Sequence, residues 1–143
     1  MATSAAVVQA IAQQNPNGVS IDLEKGRILE GPGYCVAYDA TQNQFGHAGC
    51  VFAMNHAAGP GGSNIVGAWF NPGNNNYYFD SVKKYTTREA AVEAAKKEQQ
   101  IAIYDLQRRV VEDIMTPGVN AVPGSPGTFT PALAAGRKRA HSV

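Results

Sequence analysis

Two thiols and three imidazoles are the side chains of this sequence best suited to covalent or metal chemistry. Cys50 with His56, or Cys35 with His47 and Asn43, would make a nucleophile and its base if the fold brought either set together. Cys35, however, stands in the apolar run Tyr34-Cys-Val-Ala-Tyr38, where a thiol packs as a small hydrophobe, and no third group completes a triad. His47 and His56 have no ligand-spaced carboxylate between them and His141 lies near the C-terminus, so no metal centre and no cofactor is expected. The glycine run Gly59-Pro-Gly-Gly-Ser63 lacks the lysine and hydroxyl of a phosphate-binding loop and reads as a linker. Binding is therefore the expected activity, and catalysis is not.

Three segments carry more polar or aromatic capacity than their place in a fold demands. Thr41, Gln42 and Asn43, with Gln44 and Phe45, leave a strand and enter a helix, where amides and free backbone N–H groups converge on anions or bases, and where they also serve as caps. The aromatics Trp69, Phe70, Tyr77, Tyr78 and Phe79 fall on both faces of a hairpin, so some belong to the core. Trp69 and Tyr78 are the candidates for stacking a planar ligand or lining a subunit contact. Arg108 and Arg109, just past the last strand of the segment, suit phosphate or carboxylate.

The elements that must position these residues are clearest between Asn64 and Leu106. Ile65–Phe70 and Tyr77–Val82 are β-prone runs separated by Asn71-Pro-Gly-Asn-Asn-Asn76, which predicts a hairpin whose turn uses Pro72 to set φ and Gly73 or an asparagine at positive φ. Thr86-Thr-Arg-Glu89 reads as a capping box, with Thr86 bonding the Glu89 N–H, and opens an alanine-rich helix to about Gln100. The small side chains at 90, 91, 94 and 95 with Val92 would let it lie close to a sheet. Ile101–Leu106 then reads as a buried strand.

Upstream, a helix is expected over 4–14, a half-buried strand over 19–23, a strand over 34–38 and a helix over 47–57, the last weakened by Gly49. From Tyr34 the order is strand, helix, strand, strand, helix, strand. That is the order of a split βαβ, or ferredoxin-like, α+β domain: an antiparallel sheet with two helices on one face, here with an extra N-terminal helix and strand. Residues 107–114 are amphipathic and fit either a short helix or a continued strand. Residues 116–143 are rich in Pro, Gly and Ala and read as an extended tail with a basic end.

With 143 residues and 44% hydrophobic content, residues 1–115 are expected to form one domain with a core of its own. They hold all 11 acidic side chains against nine basic ones, so no nucleic-acid surface is expected on the domain. Two cysteines 15 residues apart give neither a disulfide framework nor a zinc motif, and no run of 18 apolar residues occurs. A soluble protein of the cytoplasm, without membrane contact, is expected.

The series Gly33-Tyr34, Ala40-Thr-Gln-Asn-Gln-Phe-Gly46, Val66-Gly-Ala-Trp69, Tyr77-Tyr-Phe-Asp80 and Gln100–Leu106 resembles a group of small proteins encoded by bacteriophages and other mobile elements, over roughly residues 18–107. The resemblance implies a genomic setting more than an activity; within it, the expected function is that of an accessory factor in the host-cell cytoplasm whose sheet and loops hold a host protein or small ligand, as a homo-oligomer. The alternative is a virion component that decorates a larger assembly, with its tail threading along neighbouring subunits.

Overall fold

The computed structural model describes residues 3–114 and 122–123; most of the expected tail lies outside them. Among the described residues the order is α1 (Ala5–Gln14), β1 (Val19–Asp22), β2 (Arg27–Ile28), β3 (Tyr34–Ala37), a 3-10 turn (Asp39–Thr41), α2 (Gly46–Ala58), β4 (Ile65–Asn71), β5 (Asn76–Tyr85), α3 (Arg88–Lys97), β6 (Ala102–Asp105), β7 (Val110–Asp113) and β8 (Val122–Pro123). The protein is α+β, with an antiparallel sheet of seven strands, β1 to β7, extended at its edge by the two residues of β8. The sheet order is β2-β1-β4-β5-β3-β6-β7-β8.

Local chemistry explains the helix ends. Ser4 caps α1 by accepting from the Val7 N–H. The cap of α3 is Thr87, whose hydroxyl accepts from the Ala90 N–H at 3.1 Å, so the cap stands one residue later than the expected Thr86, and Ala90 at the third position cannot complete the expected capping box. Gly49 costs α2 helix propensity but is needed where it stands: a Cβ there would lie 2.6 Å from the Gln44 carbonyl carbon. In the hairpin turn Asn71 Oδ1 accepts from the Gly73 N–H, and the left-handed residue is Asn75, at φ 64°, rather than Gly73.

Residues paired across antiparallel strands point to the same face, which divides the sheet cleanly. One face carries Val66, Ala68 and Phe79, packed on Val8 and Ala12 of α1 and on Cys50, Ala53 and Ala57 of α2. The same face carries Val36 and Ile103, packed on Ala91 and Ala95 of α3. The alanine stripe of α3 thus does what its small size suggests.

The other face is where the sheet departs from a flat four-stranded one. Trp69 on β4 packs against Ala102 on β6 and Val111 on β7. In the sheet order β4 and β7 are four steps apart, roughly 19 Å in a flat sheet at about 4.8 Å per step, so contact requires the sheet to curl into a half-barrel around this face. Curling also explains β1: Val19, Ser20 and Ile21 are all buried, where a strand covered on one face would alternate. The ambiguous segment after Leu106 is resolved as a turn and strand, with β7 pairing β6 in the register Tyr104↔Val111.

Candidate functional site

The inner face of the half-barrel ends in a ladder of three rings. Gln44 accepts a backbone hydrogen bond from Phe79, and Phe45 forms a bridge with Tyr78, so the loop after β3 returns to β5 and aligns Phe45 beside Tyr78. Tyr78 pairs with Trp69 on β4. The Phe45 and Tyr78 centroids are 5.3 Å apart at 46°, and those of Tyr78 and Trp69 are 5.0 Å apart at 22°. Exposure falls along the series, from 48% at Phe45 through a half-buried Tyr78 to 2% at Trp69. Asn74 from the hairpin turn donates to the Tyr78 hydroxyl at 2.6 Å and ties the turn to the ladder. Solvent therefore meets an aromatic edge held rigidly by rings behind it.

Behind Trp69 the half-barrel holds a partly open pocket of about 60 Å³, with Ser20, Cys35, Trp69, Asp80 and Tyr104 among its lining. Burial pushes the Cys35 thiol from 9.0 up to about 12, outweighing a hydrogen bond to Ser20 and the nearby Lys84 charge. Burial likewise raises Tyr104. Cys50, on the helix side, is raised to about 11 by burial, opposed by a hydrogen bond to Gln9. Both thiols stay protonated near neutral pH. The pairings Cys50 with His56 and Cys35 with His47 and Asn43 do not arise in the hydrogen bonds described: His56 bonds Ser81 and His47 bonds Gln9.

The amide loop divides by role. Thr41 is fully buried, and its hydroxyl accepts from the Ser81 N–H at 2.9 Å, a structural joint between loop and β5. Gln42 is half-buried and accepts from Gln100 Nε2 at 3.4 Å. Asn43 is exposed in the left-handed region at φ 62°, where asparagine is tolerated, and lets the chain turn back toward β5. Only Asn43 and Phe45 of this segment face solvent freely.

Sequence reasoning missed the polar joint under this loop. His56 Nδ1 lies 2.8 Å from Ser81 Oγ, Tyr38 O–H lies 2.8 Å from Ser63 Oγ, and the Tyr38 and His56 rings are 5.0 Å apart. A serine beside a histidine suggests a hydrolase dyad, but Ser81 is 0% exposed, so no substrate reaches it. The joint locks α2 to β5 and the loop. Its one advance signal was Ser81 itself, a hydroxyl that the strand's alternation places on the same face as Phe79.

Arg108 and Arg109 stand elsewhere. Leu106 donates its N–H to Gly33, at the start of β3, whereas the 41–45 loop follows the end of that strand. The arginines therefore sit at the opposite end of the sheet from Phe45 and are not part of its surface. Arg109 pairs loosely with Glu30 at 3.9 Å and Arg108 with Asp105 at 3.8 Å, both arginines being exposed.

Among the described residues no group of three His, Cys, Asp or Glu side chains is placed to hold a metal ion, and no helix is long and apolar enough to cross a membrane. No protein-family model matches the chain, no curated protein matches it in sequence, and no solved structure matches its fold.

Proposed function

We propose that this protein works by binding rather than catalysis, as a small accessory protein of the bacteriophage type that holds a protein partner or a small ligand at the Phe45–Tyr78–Trp69 ladder. The observation that carries this reading is the exposure of Phe45 at the end of a ring series anchored in the core. A half-exposed aromatic edge, packed against a half-buried and then a buried ring, contributes contact area at little conformational cost, which is how aromatic anchors act in interfaces. Asn43 and the turn asparagines beside Tyr78 add neutral hydrogen-bonding groups at the rim. Arg108 and Arg109 are left out of the surface on the geometry above.

The fold reading that accompanies this is a split βαβ, ferredoxin-like core. Its strands are β3, β4, β5 and β6, in the order β4-β5-β3-β6, with α2 and α3 as the crossovers. The β1–β2 hairpin extends one side of that core and β7 the other, and the additions give the curl. We place the protein in a host-cell cytoplasm as a homo-oligomer, on the resemblance to phage-encoded proteins.

A tagged wild-type chain, Phe45→Ser and the double variant Arg108→Ala/Arg109→Ala, each used to capture partners and each sized by light scattering, test the reading. Loss of a specific partner, or of the oligomer, with Phe45→Ser alone supports it. Equal capture and equal mass for Phe45→Ser and wild type would remove the ladder as the binding surface.

A further inference from the structure

Four side chains that the aromatic surface does not use meet where α1 packs on α2. Positions 47, 50 and 54 are spaced i, i+3 and i+7, so His47, Cys50 and Met54 share one face of α2. The Cys50 thiol donates to Met54 Sδ at 3.7 Å. Across the crease Gln9 of α1 lies 2.9 Å from His47 Nδ1 through Nε2 and hydrogen-bonds Cys50 as well. An imidazole nitrogen and a thiol sulfur therefore lie within reach of one amide, and a thioether sulfur touches the thiol. Two sulfurs held by one ion at about 2.3 Å, between tetrahedral and trigonal angles, stand roughly 3.8–4.0 Å apart. The observed separation needs to change by only a few tenths of an ångström.

The geometry points to a soft-metal site on α2, in which His47 Nδ1, Cys50 Sγ and Met54 Sδ bind Cu(I). A thiol with a thioether and an imidazole is a donor set that suits this ion, whereas the absence of a carboxylate disfavours hard cations. Binding replaces the thiol proton by the metal: the S–H bond breaks, a Cu–S bond forms, one proton is released per ion, and no electron moves. Because the ion takes the place of a proton on sulfur, occupancy rises with pH. Cys50 is 0% exposed, so an ion, unlike a bulky substrate, reaches its sulfur only once the Gln9 side chain swings aside; Gln9 itself lines a surface cleft of about 210 Å³ with Gln13, Gly46 and Tyr77. This site stands or falls independently of the aromatic ladder.

The test uses the full chain, reduced and oxygen-free, titrated with Cu(I) delivered as its bicinchoninate complex, with X-ray absorption on the loaded protein. The expected result is uptake of a single equivalent into a site of two sulfurs and one nitrogen, with proton release. Cys35→Ala should keep this uptake and Cys50→Ala should abolish it. Met54→Leu and His47→Ala should each weaken it by more than ~10-fold, since even changes in the outer shell of a metal site cost that much. Gln9→Ala should bind at least as tightly as wild type. Cys50→Ala touches the core, so Met54→Leu and His47→Ala, checked for native circular dichroism, decide the matter if it misfolds. Wild-type affinity in both of those variants, uptake that depends on Cys35, or no removal of copper from the chelator would overturn the site.

Discussion

Replacing Trp69 by alanine removes the ring that closes the half-barrel. Its indole is 2% exposed, stacks on Tyr78 and packs against Ala102 and Val111 from the far side of the sheet. A buried ring of this kind covers roughly 150–250 Å², which at about 25 cal/mol per Å² corresponds to ~4–6 kcal/mol. Trp-to-Ala changes in cores fall at about 3–5 kcal/mol, and removing the indole would enlarge the adjoining pocket of about 60 Å³. We therefore expect a loss of about 4 kcal/mol, and a fall in Tm of roughly 15 °C or more for a domain of this size. Trp69→Phe, which keeps a ring, should cost under about 2 kcal/mol. Urea unfolding followed by far-ultraviolet circular dichroism is the assay, because the variant lacks the chain's one tryptophan and gives no indole fluorescence. A loss below about 1 kcal/mol in Trp69→Ala would refute the curled sheet closed by this ring, since it would leave Trp69 as a surface side chain.

Thr87→Ala should cost about 1 kcal/mol as the loss of a helix cap, while Thr86→Ala should cost less than about 0.5, and thermal unfolding separates the two. Gly62→Ala should destabilise by about 1–3 kcal/mol, because its Cβ would lie 2.2 Å from the His56 carbonyl oxygen, whereas Gly61→Ala meets nothing within 4 Å and should be near neutral by urea unfolding. Both thiols titrate higher in the fold than their ordinary 9.0, so above about pH 9 the unfolded chain releases protons that the folded chain keeps, and stability falls as pH rises toward about 11 to 12. A double Cys35→Ala/Cys50→Ala variant should show a flatter decline between about pH 8 and pH 10, before the raised Tyr85 and Tyr104 add theirs, and equal slopes in the two proteins would exclude the thiols as its source.

The parts of this fold that sequence makes legible are those fixed by local chemistry. The β4–β5 hairpin announces itself through Asn71 to Asn76, and α3 through its alanines and its threonine cap. The cap is misplaced by one because Thr86 and Thr87 are chemically equivalent and only the incoming direction of β5 chooses between them. β2 is two residues long and carries no periodicity to detect. β7 follows a turn whose left-handed residue is Arg109, at φ 57°, a conformation that arginine's identity does not suggest. The curl depends on Trp69 meeting Val111 from four strands away, a contact that no local window contains.

The candidate site was legible to a similar depth. Phe45, Trp69 and Tyr78 stand out as aromatics in or beside strands, and pairing then orders them into one ladder. The arginines look adjacent to the site because they follow the last strand of the same segment, but closeness to a strand does not say which end of the sheet that strand reaches. Thr41 looks like a loop hydroxyl free to bind, yet its partner is the Ser81 N–H of β5, 40 residues away.

If binding runs through the aromatic ladder, Phe45 touches the partner. Phe45 replaced by the photoreactive analogue p-benzoylphenylalanine keeps an aromatic ring at that position, and irradiation in the cells that carry the protein reports contact directly, with the same analogue at Arg108 as the comparison. The expected result is a discrete crosslinked product from position 45 and none from position 108; no product from position 45, or an equal one from position 108, would contradict binding at the aromatic ladder.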